Sequence, residues 1–181
     1  MMTLMDENKT LEFSFHENQE VFRYDSSRFY REKIEKHISG IDAVDFLCRD
    51  DGLHKSFLIE VKNLNNLDGD DARKRKGKDS AEELAVKISR KVLDTIAGLY
   101  VATFSLQCDD AEKHFAQRVL ENPLHIVFHY ELPRKWSEPL RKQRMADMKA
   151  RLKRKLQIID PNLRVENSST SKYWTVTQRG V

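Results

Sequence analysis

The sequence predicts an α/β protein with a mixed central sheet flanked by helices. Three observations favour this class: apolar residues alternate in several short segments, they recur every three or four positions in longer ones, and the two kinds of segment alternate along the chain. The 181 residues, 39% hydrophobic and 34% charged, suit a globular protein with a heavily charged surface. We therefore expect a single domain over residues 1–181.

The N-terminal part is predicted to contain two strands and a short amphipathic helix. Residues 11–15 and 20–24 alternate weakly and are the expected strands. Asp25, Ser26 and Ser27 supply N-cap chemistry for a helix that continues to about residue 37. Gly40 is a natural end for this helix.

A β-hairpin is the clearest local prediction. The apolar-rich residues 41–49 and 54–62 flank the pair Asp51-Gly52, which suits a two-residue type I′ turn. Centring the hairpin on this turn places Asp45 opposite Leu58 and diagonal to Glu60. One face then carries residues such as Phe46 and is expected to pack against helices as core.

The other face of this hairpin carries Asp45, Glu60 and Lys62 beside Leu58. Two carboxylates on one face can hold a cation between them, and oxygen ligands with room for water and phosphate suit Mg²⁺ or Mn²⁺ rather than zinc. The same alternation turns Asp42 to the opposite face, so we do not expect it to be a ligand.

The second half of the chain is predicted to contain three helices and three strands. A polar, charged loop over residues 63–80 precedes them, and Ser80 with Glu83 matches a capping box at the first helix. The helices are expected over residues 81–104, 110–120 and 137–159, and the strands over residues 124–132, 164–167 and 172–178. We expect the last two strands to form a hairpin, and the basic side chains of the third helix to lie outside.

Basic residues are concentrated in two places. Residues 134–155 contain ten basic and two acidic residues, so the remainder holds 22 basic and 27 acidic ones. Such polarity predicts a surface that binds nucleic acid, although a solubilising loop or a helix for a partner protein would look the same. The candidate nucleic-acid contacts are Arg73, Lys74, Arg75, Lys76, Lys78 and Lys87. Lys87 and Lys91, one turn apart on the helix, are in position to approach a phosphate, although lysines at this spacing are usually solvated.

The order Asp45, Glu60-Val61-Lys62 resembles the motif of the PD-(D/E)XK nuclease superfamily, which includes restriction endonucleases and Holliday-junction resolvases. The resemblance covers about residues 25–130, with Val44 where the family often has proline. It implies a restriction-endonuclease-like αβββαβ core over about residues 20–132, followed by the basic helix and hairpin over residues 137–178.

The resemblance also implies a function and a site. The chain would be a metal-dependent endo- or exonuclease that hydrolyses phosphodiester bonds, with Mg²⁺ or Mn²⁺ held by Asp45, Glu60 and the Val61 carbonyl. Lys62 would orient water or stabilise the transition state, and Glu35 or Glu32 would match the helix glutamate of the family.

Other interpretations remain open at this point. Glu60 and Lys62 also suit a solvated strand face, and a nuclease fold without activity would act as a nucleic-acid-binding, regulatory or defence accessory factor. DNA is favoured over RNA as the partner, a homodimer is compatible with cutting two strands, and no membrane partner is expected. The two cysteines and the lack of a signal peptide predict a cytoplasmic protein. Dinucleotide, P-loop, zinc-protease and serine-hydrolase motifs do not occur.

Overall fold

A computed structural model describes residues 1–6, 8–65 and 80–179 of the protein. Two β-sheets lie at its centre. The strands are β1 (Met2–Met5), β2 (Leu11–Phe15), β3 (Gln19–Phe22), β4 (Phe46–Asp50), β5 (Lys55–Asn63), β6 (Leu124–Glu131), β7 (Arg164–Glu166) and β8 (Thr175–Gln178). The helices are α1 (Ala81–Phe104), α2 (Asp110–Leu120) and α3 (Glu138–Leu156). The predicted α/β class with a mixed sheet is confirmed.

The larger sheet has five strands in the order β3-β4-β5-β6-β7. The pairs β3–β4 and β4–β5 are antiparallel, whereas β5–β6 and β6–β7 are parallel. Helices α1 and α2 lie in the connection between the parallel strands β5 and β6, as such a crossover requires. The carboxyl ends of β5, β6 and β7 therefore meet at one edge of the sheet.

Both faces of this sheet are covered, and by different layers. Buried residues of α1, α2 and α3 share one apolar cluster with Leu47 and Leu58 of the sheet. The opposite face, which includes Phe46 and Ile59, packs against the smaller sheet β1-β2-β8. The expectation that the Phe46 face meets helices is therefore wrong, because an N-terminal sheet with fully buried aromatic residues such as Phe13 occupies that side.

The three α-helices follow their predicted bounds closely. At α1 the Ser80 hydroxyl accepts a hydrogen bond from the Glu83 amide at 3.2 Å, and the Glu83 carboxylate accepts one from the Ser80 amide at 2.6 Å. This confirms the capping box. Helix α3 ends at Leu156, slightly earlier than the apolar periodicity indicates.

The first predicted helix has a different form. Residues Tyr24–Ser26 make a single 3-10 turn, and Tyr30–Glu35 forms a π-helix. Its start is capped by Ser27, one of the predicted residues, whose hydroxyl accepts a hydrogen bond from the Tyr30 amide at 3.2 Å. Glu112 of α2 adds to this cap by accepting hydrogen bonds from the backbone amides of residues 28 and 29 at 3.0 and 3.1 Å. The π-helix ends at Glu35, so Gly40, with φ of 75°, lies in a later turn and does not end it as predicted.

The β4–β5 hairpin exists, but its turn differs from the prediction. Asp50 pairs with Lys55, so the loop is the four residues 51–54 rather than a type I′ pair. The buried Asp50 carboxylate fixes this loop, because it accepts hydrogen bonds from the Leu53 amide and from the Asn18 and Gln19 side chains, each at 2.9 Å. Asn18 lies just before β3 and Gln19 is its first residue, so the local sequence of the hairpin does not indicate these two partners.

The predicted C-terminal hairpin is not formed. Strand β7 pairs in parallel with β6, and β8 pairs antiparallel with β2 in the other sheet. The physical reason is burial: Trp174 and Val176 cover the aromatic residues of β2, a surface that a local hairpin would leave exposed.

None of the helices in the described ranges combines the length and the apolar composition that crossing a lipid bilayer requires.

Candidate active site

Asp45 and Glu60 lie side by side on neighbouring strands. Asp45 directly precedes β4, and Glu60 lies three residues before the end of β5. Because Phe46 pairs with Ile59, continuing the register places Asp45 directly opposite Glu60 rather than diagonal to it. The Asp45 Oδ2 atom accepts a hydrogen bond from the Val61 amide at 2.6 Å, which fixes the carboxylate beside β5. The actual register is shifted by two residues, so both side chains still share a face.

Glu60 is a buried carboxylate on the helix-facing side of the sheet, with 8% of the residue exposed. Burial, and then the negative charge of Asp45, raise the pKa of Glu60 to about 8. Two carboxylates held together at such a position favour a cation beside them.

Lys91 of α1 supplies a positive charge at this position. Its Nζ atom lies 3.0 Å from Oε1 and 3.2 Å from Oε2 of Glu60. Burial acts to lower the pKa of Lys91, but the charges of Glu60, Asp45 and Asp42 outweigh it and raise the pKa above its ordinary value. Lys91 therefore stays protonated over the pH range of ordinary enzyme assays.

The sequence alone favoured a solvated Lys91, with a phosphate contact as the alternative, and did not predict its ion pair with Glu60. The missed signal is its helical position: Ile88 precedes it by three residues, Thr95 follows it by four, and both are buried. A lysine within the buried stripe of a helix needs a negatively charged partner, and Glu60 on the sheet below is that partner.

Asp42 also belongs to this cluster, contrary to the expectation that it faces away. Its Oδ1 atom lies 3.7 Å from the Lys91 ammonium. The residues just before β4 are not part of a strand, so strand alternation does not govern where Asp42 points. Its side chain is 60% exposed, which makes it the solvent-facing member of the group.

Lys62 is half-buried on the same side of β5 as Glu60, in register with Tyr130 of β6. It stands two residues beyond Glu60, toward the edge where the parallel strands end. The structure therefore brings Asp45, Glu60 and Lys62 to one face, as predicted, and adds Lys91 and Asp42.

The predicted helix glutamates lie in ion pairs on their own helical segment. Glu35 is 3.3 Å from Arg31, and Glu32 is 3.3 Å from Arg28, with side chains 45% and 54% exposed. Their participation in the site stays a prediction.

The predicted nucleic-acid contacts are only partly described. The run from Arg73 to Lys78 lies outside the described residues, and Lys87 lies in α1 one turn before Lys91. On α3 the expectation of an entirely outward basic face needs correction, because Glu82 of α1 forms ion pairs with Arg151, Arg154 and Lys155.

Within the described parts of the chain, no three His, Cys, Asp or Glu side chains are arranged to hold a metal ion together. A cation at Asp45 and Glu60 would therefore have two carboxylates from the protein. Mg²⁺ is commonly bound in this way, through one or two carboxylates with water and substrate phosphates completing the shell. The donor set fits a hard divalent cation that also binds substrate.

The chain is similar to part of a cysteine–tRNA ligase from Neisseria meningitidis serogroup A, with 31% identity over 153 residues. The alignment covers 73% of this chain and 22% of the ligase, so the chain spans about a fifth of the length of the curated protein that it matches. No protein-family model matches the chain, and no solved structure matches it.

Proposed function

We propose that the chain is a metal-dependent nuclease of the PD-(D/E)XK type, which hydrolyses phosphodiester bonds in nucleic acid. The observation that carries the proposal is the position of Asp45 opposite Glu60, with the Asp45 carboxylate held on the Val61 amide and amines from β5 and α1 nearby. Paired carboxylates with adjacent ammonium groups are suited to binding a cation and a phosphate at the same time.

The order of elements supports a restriction-endonuclease-like core. The π-helix precedes the antiparallel pair β4–β5, which is followed by α1 and α2 and then by β6 parallel to β5. This order differs from αβββαβ in two respects: β3, which pairs with β4, comes before the helical segment instead of after it, and α2 is an additional helix.

Asp45, Glu60 and the Val61 carbonyl are the groups that would hold Mg²⁺ or Mn²⁺. When bound, the ion would lower the pKa of a coordinated water and neutralise charge on the phosphate. Lys62, at the open edge of the sheet, would hold the phosphate next to the site. Lys91 donates a hydrogen bond to Glu60, which fixes the direction of this carboxyl group and offsets part of the rise in its pKa.

A cleavage assay tests this proposal. Wild-type protein is incubated with linear, nicked, branched and single-stranded DNA and with RNA, including tRNA, in Mg²⁺, Mn²⁺ or chelator. We expect metal-dependent cleavage that Asp45→Asn and Lys62→Gln reduce by at least about 100-fold, the range for loss of one transition-state contact. The matched controls are Glu17→Gln and Lys149→Gln, which remove one charge of the same sign at exposed positions. Cleavage that survives Asp45→Asn contradicts the proposal.

A nucleic-acid-binding protein without catalysis is the second candidate. Its specific support is that Lys91 already neutralises Glu60, so the site is satisfied without a metal ion. The similarity to a cysteine–tRNA ligase adds RNA to the partners that we propose, beside the DNA that the superfamily resemblance favours. This candidate predicts salt-sensitive binding to nucleic acid without cleavage in any metal.

We also propose a homodimer, as an enzyme that cuts two strands would favour. Sedimentation of the same samples tests this proposal by measuring the mass of the particle.

A further inference from the structure

A polar pocket of about 360 Å³ lies at the carboxyl ends of β5 and β6, away from the Asp45 and Glu60 pair. Its volume lies in the usual range for small-ligand sites. Four separate parts of the chain contribute to it: the end of β5, the segment from β6 into α3, the turn after β7, and β8. The side chains that bear on its chemistry are Asn65, Glu131, Arg134, Arg141, Ser168 and Gln178.

The buried carboxylate of Glu131 lies at the bottom of the pocket, and both of its oxygens have hydrogen-bond partners within the protein. Glu131, 5% exposed, accepts hydrogen bonds from the Ser168 amide at 2.6 Å, from Gln178 at 3.4 Å and from Asn65 at 3.5 Å. Its Oε1 atom also lies 3.0 Å from Nε2 of the buried His129. Burial acts to raise the pKa of Glu131, but these hydrogen bonds outweigh it and lower the pKa. Glu131 therefore holds the walls in place and needs no cation from solution.

The remaining polarity of the pocket comes from hydrogen-bond donors. Arg134 reaches in from the segment before α3, where it donates to the side-chain carbonyl of Gln178. Arg141, in the first turns of α3, is half-buried, and among residues 1–6, 8–65 and 80–179 no carboxylate lies within ion-pair distance of it. A half-buried guanidinium facing a cavity favours an anionic partner, and its fork of N–H groups matches phosphate oxygens.

We propose that this pocket binds a phosphate group of a nucleotide or a nucleic acid, with Arg134 and Arg141 as its main ligands. Ser168 lies on the same wall, where its amide and its hydroxyl both hydrogen-bond the Glu131 carboxylate. The site is distinct from the proposed cleavage site: Asn65 lies two residues beyond the end of β5, and the three strand residues that follow Glu60 alone span about 10 Å. Glu131 pairs with Asn63 and therefore lies on the opposite face of the sheet from Glu60.

Binding is measured in chelator, where no metal-dependent cleavage occurs, so the result does not depend on the proposed nuclease activity. The probe is a short fluorescent oligonucleotide with a 5′-phosphate, followed by fluorescence anisotropy. Adenosine monophosphate and inorganic phosphate serve as competitors. We compare the wild type with an Arg134→Gln, Arg141→Gln double variant and with a control, Lys33→Gln, Lys36→Gln. The control removes the same charge from exposed positions on and directly after the π-helix, outside both basic clusters.

We expect the arginine variant to lose about tenfold or more in affinity, because two charge-assisted contacts are removed, and the lysine control to stay within about twofold. Competition by adenosine monophosphate that the arginine variant lacks would identify a free nucleotide as ligand. Loss of oligonucleotide binding alone would identify nucleic acid. Equal losses in both double variants, or no loss in the arginine variant, would overturn the proposal.

A second variant covers the case in which the arginine variant does not fold, which thermal unfolding reveals. Ser169→Asp leaves both arginines and the contacts of Glu131 intact and introduces a negative charge at an exposed position on the wall of the pocket. We expect it to weaken binding at least about tenfold through repulsion of the phosphate. Wild-type affinity in a folded Ser169→Asp protein would equally overturn the proposal.

Discussion

Replacing Glu60 with glutamine should change how the stability of the protein depends on pH. The Glu60 side chain is buried beside Asp45, and its pKa is raised from 4.5 to about 8. In the unfolded chain the carboxyl group returns to its ordinary pKa. Between these two values the folded protein holds one proton more at this position than the unfolded chain does, so folding becomes less favourable as the pH rises.

The magnitude follows from the two pKa values. One pKa unit corresponds to about 1.36 kcal/mol, so the full shift corresponds to about 5 kcal/mol. Between pH 5 and pH 9 the free energy of unfolding should fall by about 4 kcal/mol through Glu60 alone. Glutamine has the shape of the protonated acid but does not titrate. The Glu60→Gln protein should therefore lack this part of the decline.

Urea unfolding of both proteins in chelator, at several pH values from 5 to 9, measures the difference directly. Other groups that titrate in this range do so in both proteins and cancel in the comparison. Glu17→Gln, at a carboxyl 92% exposed, is the control and should follow the wild type. Parallel curves for wild type and Glu60→Gln would refute the reasoning, because they would mean that Glu60 titrates alike in the folded and unfolded chain.

Three further predictions follow from other contacts. The ammonium group of Lys91 lowers the pKa of Glu60, so Lys91→Gln should raise that pKa further. The pH profile of any cleavage activity should then shift upward, whereas Lys149→Gln should leave the profile in place. Glu131→Gln should lower the free energy of unfolding by about 2 kcal/mol at pH 7, and the difference should shrink as the pH falls below the ordinary pKa of glutamate toward the lowered pKa of Glu131. Gly98→Ala should cost about 1–3 kcal/mol in urea unfolding, since its Cβ would overlap the buried hydroxyl of Tyr24; a Tyr24→Phe background should recover part of the loss.

The sequence predicted best the elements whose signals are local. Helix α1 is an example, because Ser80 and Glu83 form their capping box within four residues of the chain. The shared face of Asp45 and Glu60 was also predictable, although the turn between their strands was not. A register error of two residues leaves every side chain on its original face. Asp45 and Glu60 therefore share a face as expected, although the predicted turn was wrong.

Features that depend on distant partners escaped prediction. Nothing near Trp174 indicates that it covers aromatic residues of β2 instead of closing a local hairpin. Lys91 was missed for a related reason: its role depends on Glu60, which the fold brings to it from another element. Local patterns identify a residue as a lysine on a helix, but only the packing of that helix on the sheet gives it a partner.

The pairing of β8 with β2 ties the order of folding to the order of synthesis. Strand β2 emerges from the ribosome before the three α-helices, whereas its partner on one side, β8, is translated after them. Until then β2 has an open edge, and fully buried aromatic side chains such as Phe13 and Phe15 lack part of their cover. A pairing between such distant segments also slows folding, because a long loop has to close first. The last strand thus completes the first sheet, and a nascent chain interrupted before β8 presents an exposed aromatic edge to chaperones and to other copies of itself.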